Sequence, residues 1–304
     1  MTSAEAQEFA AFYEALSERF ALANDKGLAI VRDVGEQMHV FGSEPEGVTY
    51  QEVDANGVRA MWAIPEGASS EHALLDFHHG GTVIASMHTE RKAAGHIAKA
   101  TGVRSLVVDF RRSPEHKFPA QIEDAEAAFD WVVSQGYSPA KIGTVGHSVG
   151  GYIPIRLALT LREKGKELQG AIVSVSPWID YSMQSEDLVK KADSDKLLSV
   201  PLIEFFRECW IGGTEYTPDD PRLSLFHTDL TGLPPVQLHW GTAEVLAAED
   251  ARLGTLLGEA GVDTELHPLD EGQHSFVLAA GRVPEVDRAI LNMGLWLRTK
   301  LEVK

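Results

Sequence analysis

Gly143-Thr144-Val145-Gly146-His147-Ser148-Val149-Gly150-Gly151 is the stretch on which the reading of this chain turns. Lys141-Ile142 can open a strand before it, and Tyr152-Ile153-Pro154-Ile155-Arg156-Leu157-Ala158-Leu159 reads mostly as a helix after it. Between them lies G-x-S-x-G, the pattern that lets a serine occupy a tight strand-to-helix turn with its hydroxyl pushed clear of the sheet. Glycines two before and two after the serine remove the Cβ atoms that would collide as the backbone doubles back. Ser148 is therefore the candidate nucleophile. A glycine-rich turn that merely closes a helix onto a sheet shows the same local pattern, so the decision rests on the rest of the chain. A nucleotide-binding reading of these glycines lacks both G-x-G-x-x-G and a Walker lysine.

Outward from this turn, short apolar runs alternate with helical stretches. The runs are 72–77, 105–110, 141–145, 170–175, 236–240 and 264–268; helical patterns lie near 89–100, 120–134, 149–164, 250–260 and 283–301. Such alternation predicts βαβ units and a mainly parallel α/β sheet covered on both faces. Ahead of them, Val48, Tyr50 and Val53 lead into Asp54-Ala55-Asn56-Gly57, and Val58, Ala60, Trp62 and Ile64 follow. Asn-Gly between two alternating runs predicts a hairpin, which adds two antiparallel strands and brings the sheet to eight.

Two segments stand outside the rhythm. Phe9, Phe12, Tyr13, Leu16 and Phe20 recur at three- and four-residue spacing, an aromatic stripe on an amphipathic helix. The interval 178–235 is far longer than an ordinary connection and carries Leu202, Phe205, Phe206, Trp210, Tyr216 and Phe226. Long insertions in compact domains tend to be lids or binding loops. Both segments are expected to contribute to an apolar lid.

The charge count of 27 Lys and Arg against 45 Asp and Glu gives −18, which disfavours nucleic acid and anionic membrane surfaces as partners. Hydrophobic residues at 44% and charged residues at 24% are ordinary for a globular protein, and no apolar run approaches membrane-spanning length. One cysteine, Cys209, leaves no internal disulfide framework. With no basic region leading into an apolar stretch at the N-terminus, a cytoplasmic location is the expectation.

Sites in open parallel sheets form at the carboxyl ends of the strands, so partners for Ser148 are sought there. The run ending at Phe77 is followed by His78-His79-Gly80-Gly81-Thr82, whose glycines leave backbone N–H groups unobstructed; with Val149 N–H they are candidate oxyanion donors. His78 and His79 could suggest a metal, but neighbours on an extended strand face opposite ways, so none is expected. His274, in a loop after the last run, is the candidate base, whereas His239 sits within a strand pattern and reads as packed. Glu244 follows the preceding run and is the preferred carboxylate, in the chain order Ser, acid, His. Asp250 is second choice and reads as the N-cap of the next helix.

These residues resemble the hormone-sensitive lipase family of α/β-hydrolases over nearly the whole chain. The family's H-G-G-G, its D-Y-R-L-A-P-E-H-x-F-P-A and its G-D-S-A-G-G are matched by His78-His79-Gly80-Gly81, by Asp109-Phe110-Arg111-Arg112-Ser113-Pro114-Glu115-His116-Lys117-Phe118-Pro119-Ala120 and by Gly146-His147-Ser148-Val149-Gly150-Gly151. The resemblance implies a single α/β-hydrolase domain over 1–304, with a helical cap from about 1–45 and about 178–230. It implies a serine carboxylesterase without cofactor, with Ser148, Glu244 and His274 catalytic, Gly80, Gly81 and Val149 forming the oxyanion hole, and a possible homodimer through the last strands. His79, Thr82 and His147 depart from the family's usual glycine, aromatic and aspartate, and Glu244 stands where aspartate is commoner. The stretches 79–82 and 113–119 look most like a branch that includes ε-lactone hydrolases, which makes lactones alternative substrates. Receptors on this scaffold lack a working triad, and the three retained residues argue against such a binding role.

Overall fold

The sheet begins where the Asn-Gly signal puts it. In the computed structural model, which describes residues 3–304, β1 (Val48–Ala55) and β2 (Val58–Pro65) pair antiparallel around Asn56 and Gly57, both at positive φ. That is the geometry a two-residue hairpin needs to match the strand twist. Met1 and Thr2, at the start of the expected cap and of the N-terminus read as leaderless, lie outside the described residues.

Six further strands complete the sheet: β3 (Ser69–Phe77), β4 (Val103–Val108), β5 (Ile142–His147), β6 (Ala171–Val175), β7 (Val236–Gly241) and β8 (Thr264–Leu269). Their order is β1-β2-β4-β3-β5-β6-β7-β8, with β2 antiparallel to β4 and every later pairing parallel. The expected runs are all strands, with ends displaced by no more than three residues. The inner strands are buried on both faces, as a sheet covered by helices requires.

The helices are α1 (Ala4–Ala23), α2 (Leu28–Gly35), α3 (Met87–Thr101), α4 (Ala120–Ser134), α5 (Val149–Glu163), α6 (Asp187–Lys190), α7 (Val200–Ile211), α8 (Ala247–Glu259) and α9 (Pro284–Lys300). The step from β3 to β4 runs opposite to those from β4 to β5 and from β5 to β6. Right-handed crossovers therefore send α3 to one face, where it packs on α9, and α4 and α5 to the other, where they pack together. The reversal falls between β3 and β5, so the carboxyl ends of these neighbours flank the switch-point crevice.

The aromatic stripe of α1 is buried at Phe9, Tyr13, Leu16 and Phe20, and Tyr13 Oη donates to Ser275 O at 3.4 Å, next to the candidate base. In the long insertion, Trp210 is wholly buried and ringed by Tyr152, Trp178 and Tyr181, with centroids 5.2–5.8 Å away, and its Nε1 donates to Gln121 Oε1 at 2.9 Å. This tryptophan anchors the insertion to α4 and α5; it is Leu202, Ile203 and Phe206 of α7 that face the cavity described below.

Arg32 of α2 reaches across to the stretch after β4. It donates to Val83 O at 2.9 Å and Ser113 O at 3.0 Å, and holds both oxygens of Glu115 at 2.7 Å. These bonds from Arg32 hold the Glu115 carboxyl down at about 2, against an opposing effect of burial. Glu115 is half exposed, so Glu115→Gln is expected to lose no more than about 1 kcal/mol at neutral pH. The folded value lies below an unfolded one of roughly 4.3, so the contribution is full above that pH and disappears as the pH falls through about 2. Urea midpoints of the two proteins should draw together as the pH is lowered from 7 to 3, without yet meeting at 3.

Candidate active site

Phe77 of β3 pairs with Gly146 of β5, so the oxyanion turn and the serine turn leave the sheet side by side. A Cβ on Gly146 would lie 2.0 Å from Gly150 O, and one on Gly150 would lie 1.9 Å from Phe77 O. Neither position tolerates a side chain, which is the steric content of G-x-S-x-G here. Ser148 sits at φ 59 and ψ −130, a backbone conformation that costs roughly 1–3 kcal/mol and is held by its surroundings. Its N–H donates to Val175 O at 3.0 Å, and its carbonyl accepts from Gly151 N at 2.9 Å and Trp178 N at 3.1 Å.

Beyond β3, His78 stacks on Phe110 at 4.0 Å and its Nδ1 meets His79 O at 2.7 Å. His79, just past the end of β3, stacks instead on His147. Gly80 and Gly81 follow at φ 99 and 58, and among the described residues neither N–H is spent on an internal hydrogen bond. Val149 is the first residue of α5, whose opening N–H groups have no partner within the helix. The turn is braced from behind by Ser113, whose N–H donates to Thr82 O at 2.8 Å and whose Oγ accepts from Thr82 Oγ1 at 3.1 Å. In front, a Cβ on Gly81 would fall 2.3 Å from Phe206, so α7 rests directly on the glycine.

His274 follows β8 and Glu244 follows β7, neighbouring parallel strands. Glu244 Oε2 lies 2.6 Å from His274 Nδ1, and Oε1 accepts from Gly241 N at 2.8 Å, so the carboxylate is oriented at both oxygens. Glu244 is wholly buried and His274 nearly so. Ser148, His274, Gly80 and Gly81 line one cavity of about 30 Å³, room for about two water molecules, walled by Leu197, Leu202, Ile203 and Phe206. No hydrogen bond joins Ser148 Oγ to His274 in this resting arrangement; such contacts commonly tighten when substrate binds.

Asp250 does not cap α8. The helix starts at Ala247 with Leu246 at its N-cap, and Asp250 points inward from the first turn, wholly buried. As a carboxylate it finds no donor. Burial, with the charges of Glu244 and Glu249, raises its pKa well above the usual range, and as a neutral acid it hydrogen-bonds Glu244. His239 is packed as expected, stacked on His267 and bonded to Gln237 Oε1 at 3.0 Å, with burial pushing its imidazole down to about 3.

Two further residues escape a reading of motifs. Asp195, in the long insertion, accepts from Leu197 and Leu198 N–H through one oxygen and from Val245 N–H through the other, beside Glu244. Glu90 of α3 meets both His79 and His147. The local turn that Asp195 makes with Leu197 and Leu198 says nothing of Val245, and the partners of Glu90 are 11 and 57 residues away, so neither role is marked in the local sequence.

The family model described as alpha/beta hydrolase fold matches residues 74–278. An acetyl-hydrolase of Streptomyces hygroscopicus is 31% identical over 79% of this chain and 79% of its own length. An esterase of Acinetobacter venetianus is 25% identical over 86% of each. Among solved structures, an esterase from the bacterial hormone-sensitive lipase family superposes with a TM-score of 0.93 at 32% identity, covering 99% of both chains. A hormone-sensitive lipase homologue from a metagenome library, EstE7, gives 0.89 at 26% identity over 99% of this chain and 100% of its own. Sheet order, serine turn and family match agree, and the chain belongs to the hormone-sensitive lipase family of α/β-hydrolases.

Proposed function

We propose that this protein is a serine carboxylesterase acting on small to medium esters. The observation that carries the reading is the 2.6 Å His274–Glu244 pair sharing one cavity with Ser148 and with free glycine amides. Ser148 Oγ attacks the ester carbonyl as His274 accepts its proton, and the N–H groups of Gly80, Gly81 and Val149 receive the oxyanion. His274 returns the proton to the departing alcohol. Water, deprotonated by the same imidazole, then splits the acyl-enzyme. Glu244 fixes the tautomer that leaves Nε2 free to act as base. The scheme requires no metal or organic cofactor, and nucleic acid has no part in it.

The cap of about 1–45 and about 178–230 supplies the apolar wall: Phe20 and Met38 come from the first segment and Leu202, Ile203 and Phe206 from the second. A cavity this small favours short acyl groups, and the same size suits a compact lactone ring as the alternative substrate. The names of the relatives, acetyl-hydrolase and esterase, support the ester reading. β8 is the edge of the sheet, and Leu266 on it is exposed, which supports a homodimer through this edge. No helix among the described residues is long and apolar enough to cross a membrane, and the lone cysteine fits a cytoplasmic setting.

The test is a comparison of initial rates across p-nitrophenyl esters of increasing acyl length and several lactones, with Ser148→Ala as the blank. Rates should peak at about two to six acyl carbons and fall at least roughly tenfold for long chains. A peak at long chains would overturn the short-acyl reading. No ester turnover above the blank, with lactones hydrolysed, would favour the alternative.

A further inference from the structure

The pairing of β3 with β5 stops at Phe77 and Gly146. Past that point no strand-to-strand bond ties the oxyanion turn to the serine turn, although the chemistry proposed above depends on their separation. A carboxylate stands where the sheet leaves off. Glu90 reaches in from the first turn of α3, 1% exposed, and its Oε2 lies 2.6 Å from His147 Nε2 and 3.3 Å from His79 Nδ1. His147 immediately precedes Ser148, and His79 immediately precedes Gly80. The two rings stack at 4.8 Å with 25° between their planes.

We propose that Glu90 is a positioning residue: a single buried carboxylate oxygen that clasps the residue before the nucleophile and the residue before the oxyanion amides, and so sets the distance between them. The inference rests on the esterase reading.

An anion in a dry interior is tolerated only with good partners. Burial pushes the Glu90 carboxyl up, but the charge of His147 and the hydrogen bonds from His147 and His79 outweigh it and hold the group well below the usual carboxylate range. Burial drives His79 down to about 3, so this ring is neutral and meets Glu90 with Nδ1–H; its Nε2 is left as a bare lone pair without a donor. Asp76, wholly buried nearby, is kept neutral by burial and by Glu90's charge, which leaves Glu90 as the anion of the pair. Charge-assisted bonds from two imidazoles to one oxygen resist lateral drift of either turn. A misregister between nucleophile and amides is felt in the transition state more than in substrate binding, and about 1 Å can cost about a hundredfold.

Two substitution sets test this, with kcat expressed per serine titrated by an organophosphate, so that unfolded molecules do not count. Glu90→Gln keeps the size and can hold its amide oxygen where Oε2 lies, but both bonds lose the carboxylate's charge and an NH₂ is left without an acceptor at the buried Oε1 position; kcat should fall roughly tenfold to a hundredfold, with KM changing less than about threefold. His147→Gln retains a donor near the position of Nε2 and should keep most activity, whereas His147→Leu should fall as Glu90→Gln does. Should Glu90→Gln fail to fold, the contrast between the two His147 variants decides. Wild-type kcat per titrated site in Glu90→Gln, or His147→Leu equal to His147→Gln, would overturn the proposal while leaving the esterase reading intact. Failure of that reading shows separately, as full turnover by Ser148→Ala.

Discussion

Ser148→Ala is expected to lower kcat by roughly a millionfold while leaving the fold in place. The hydroxyl makes no internal hydrogen bond among the described residues, so its removal strands no buried partner. Alanine and serine meet the same backbone strain at φ 59, and the neighbours that hold the turn do so through main-chain bonds from Val175, Gly151 and Trp178. The thermal midpoint should therefore move by no more than about 2 °C, as for a substitution that touches no packing or polar partner. Stopped assays on a short-chain ester, set beside a melting curve, check both halves. Turnover within about tenfold of the parent would remove Ser148 from the mechanism.

Glu244→Gln is expected to lower kcat by about ten-thousandfold with a small change in KM. Oε1 of Glu244 is committed to Gly241 N–H, so a glutamine that keeps this bond must turn its NH₂ toward His274 Nδ1. The imidazole can then face it only as an acceptor, which moves the ring proton to Nε2. That nitrogen is the one required to take the serine's proton, and in this tautomer it cannot. The opposite amide orientation sets NH₂ against Gly241 N–H in a fully buried place, and an unmet donor there costs about 1–3 kcal/mol. Steady-state kcat and KM on one ester suffice as the check. A loss below about tenfold would show that Glu244 does not orient the base.

The elements legible in the sequence were those whose cause is local. Alternation located the hairpin strands, short apolar runs the other six, and helical periodicity the helices that alternate with them, because burial on one face or on both writes itself directly into the chain. The serine turn was legible because steric exclusion of two Cβ atoms leaves a glycine signature. What stayed hidden depends on distant partners. Glu90 falls in the helical pattern near 89–100 with nothing to single it out, yet it meets a histidine 57 residues away. Asp250 carried a helix-cap signal, but the packing of α8 against β7 and β8 turns it toward Glu244 instead. Trp210 reads as one of the lid's apolar residues and is its anchor, since an aromatic run does not say which of its members meets the scaffold.

The bonds of Asp195 bear on how a substrate gains the cavity. This one carboxylate stitches its own segment, through Leu197 and Leu198, to Val245 beside the triad's acid, and Gln273 adds bonds from Lys196 N and to Ser194 O next to His274. A cap hinged to swing away at this end would dismantle the acid and base loops with every turnover. On the opposite side the Phe206 ring meets Gly81 by contact alone, so a change of that side chain's rotamer clears the glycine without breaking a hydrogen bond or freeing the anchored helix. Acyl groups would pass over the oxyanion turn, with the side of Glu244 and His274 serving as the fixed jamb of the door.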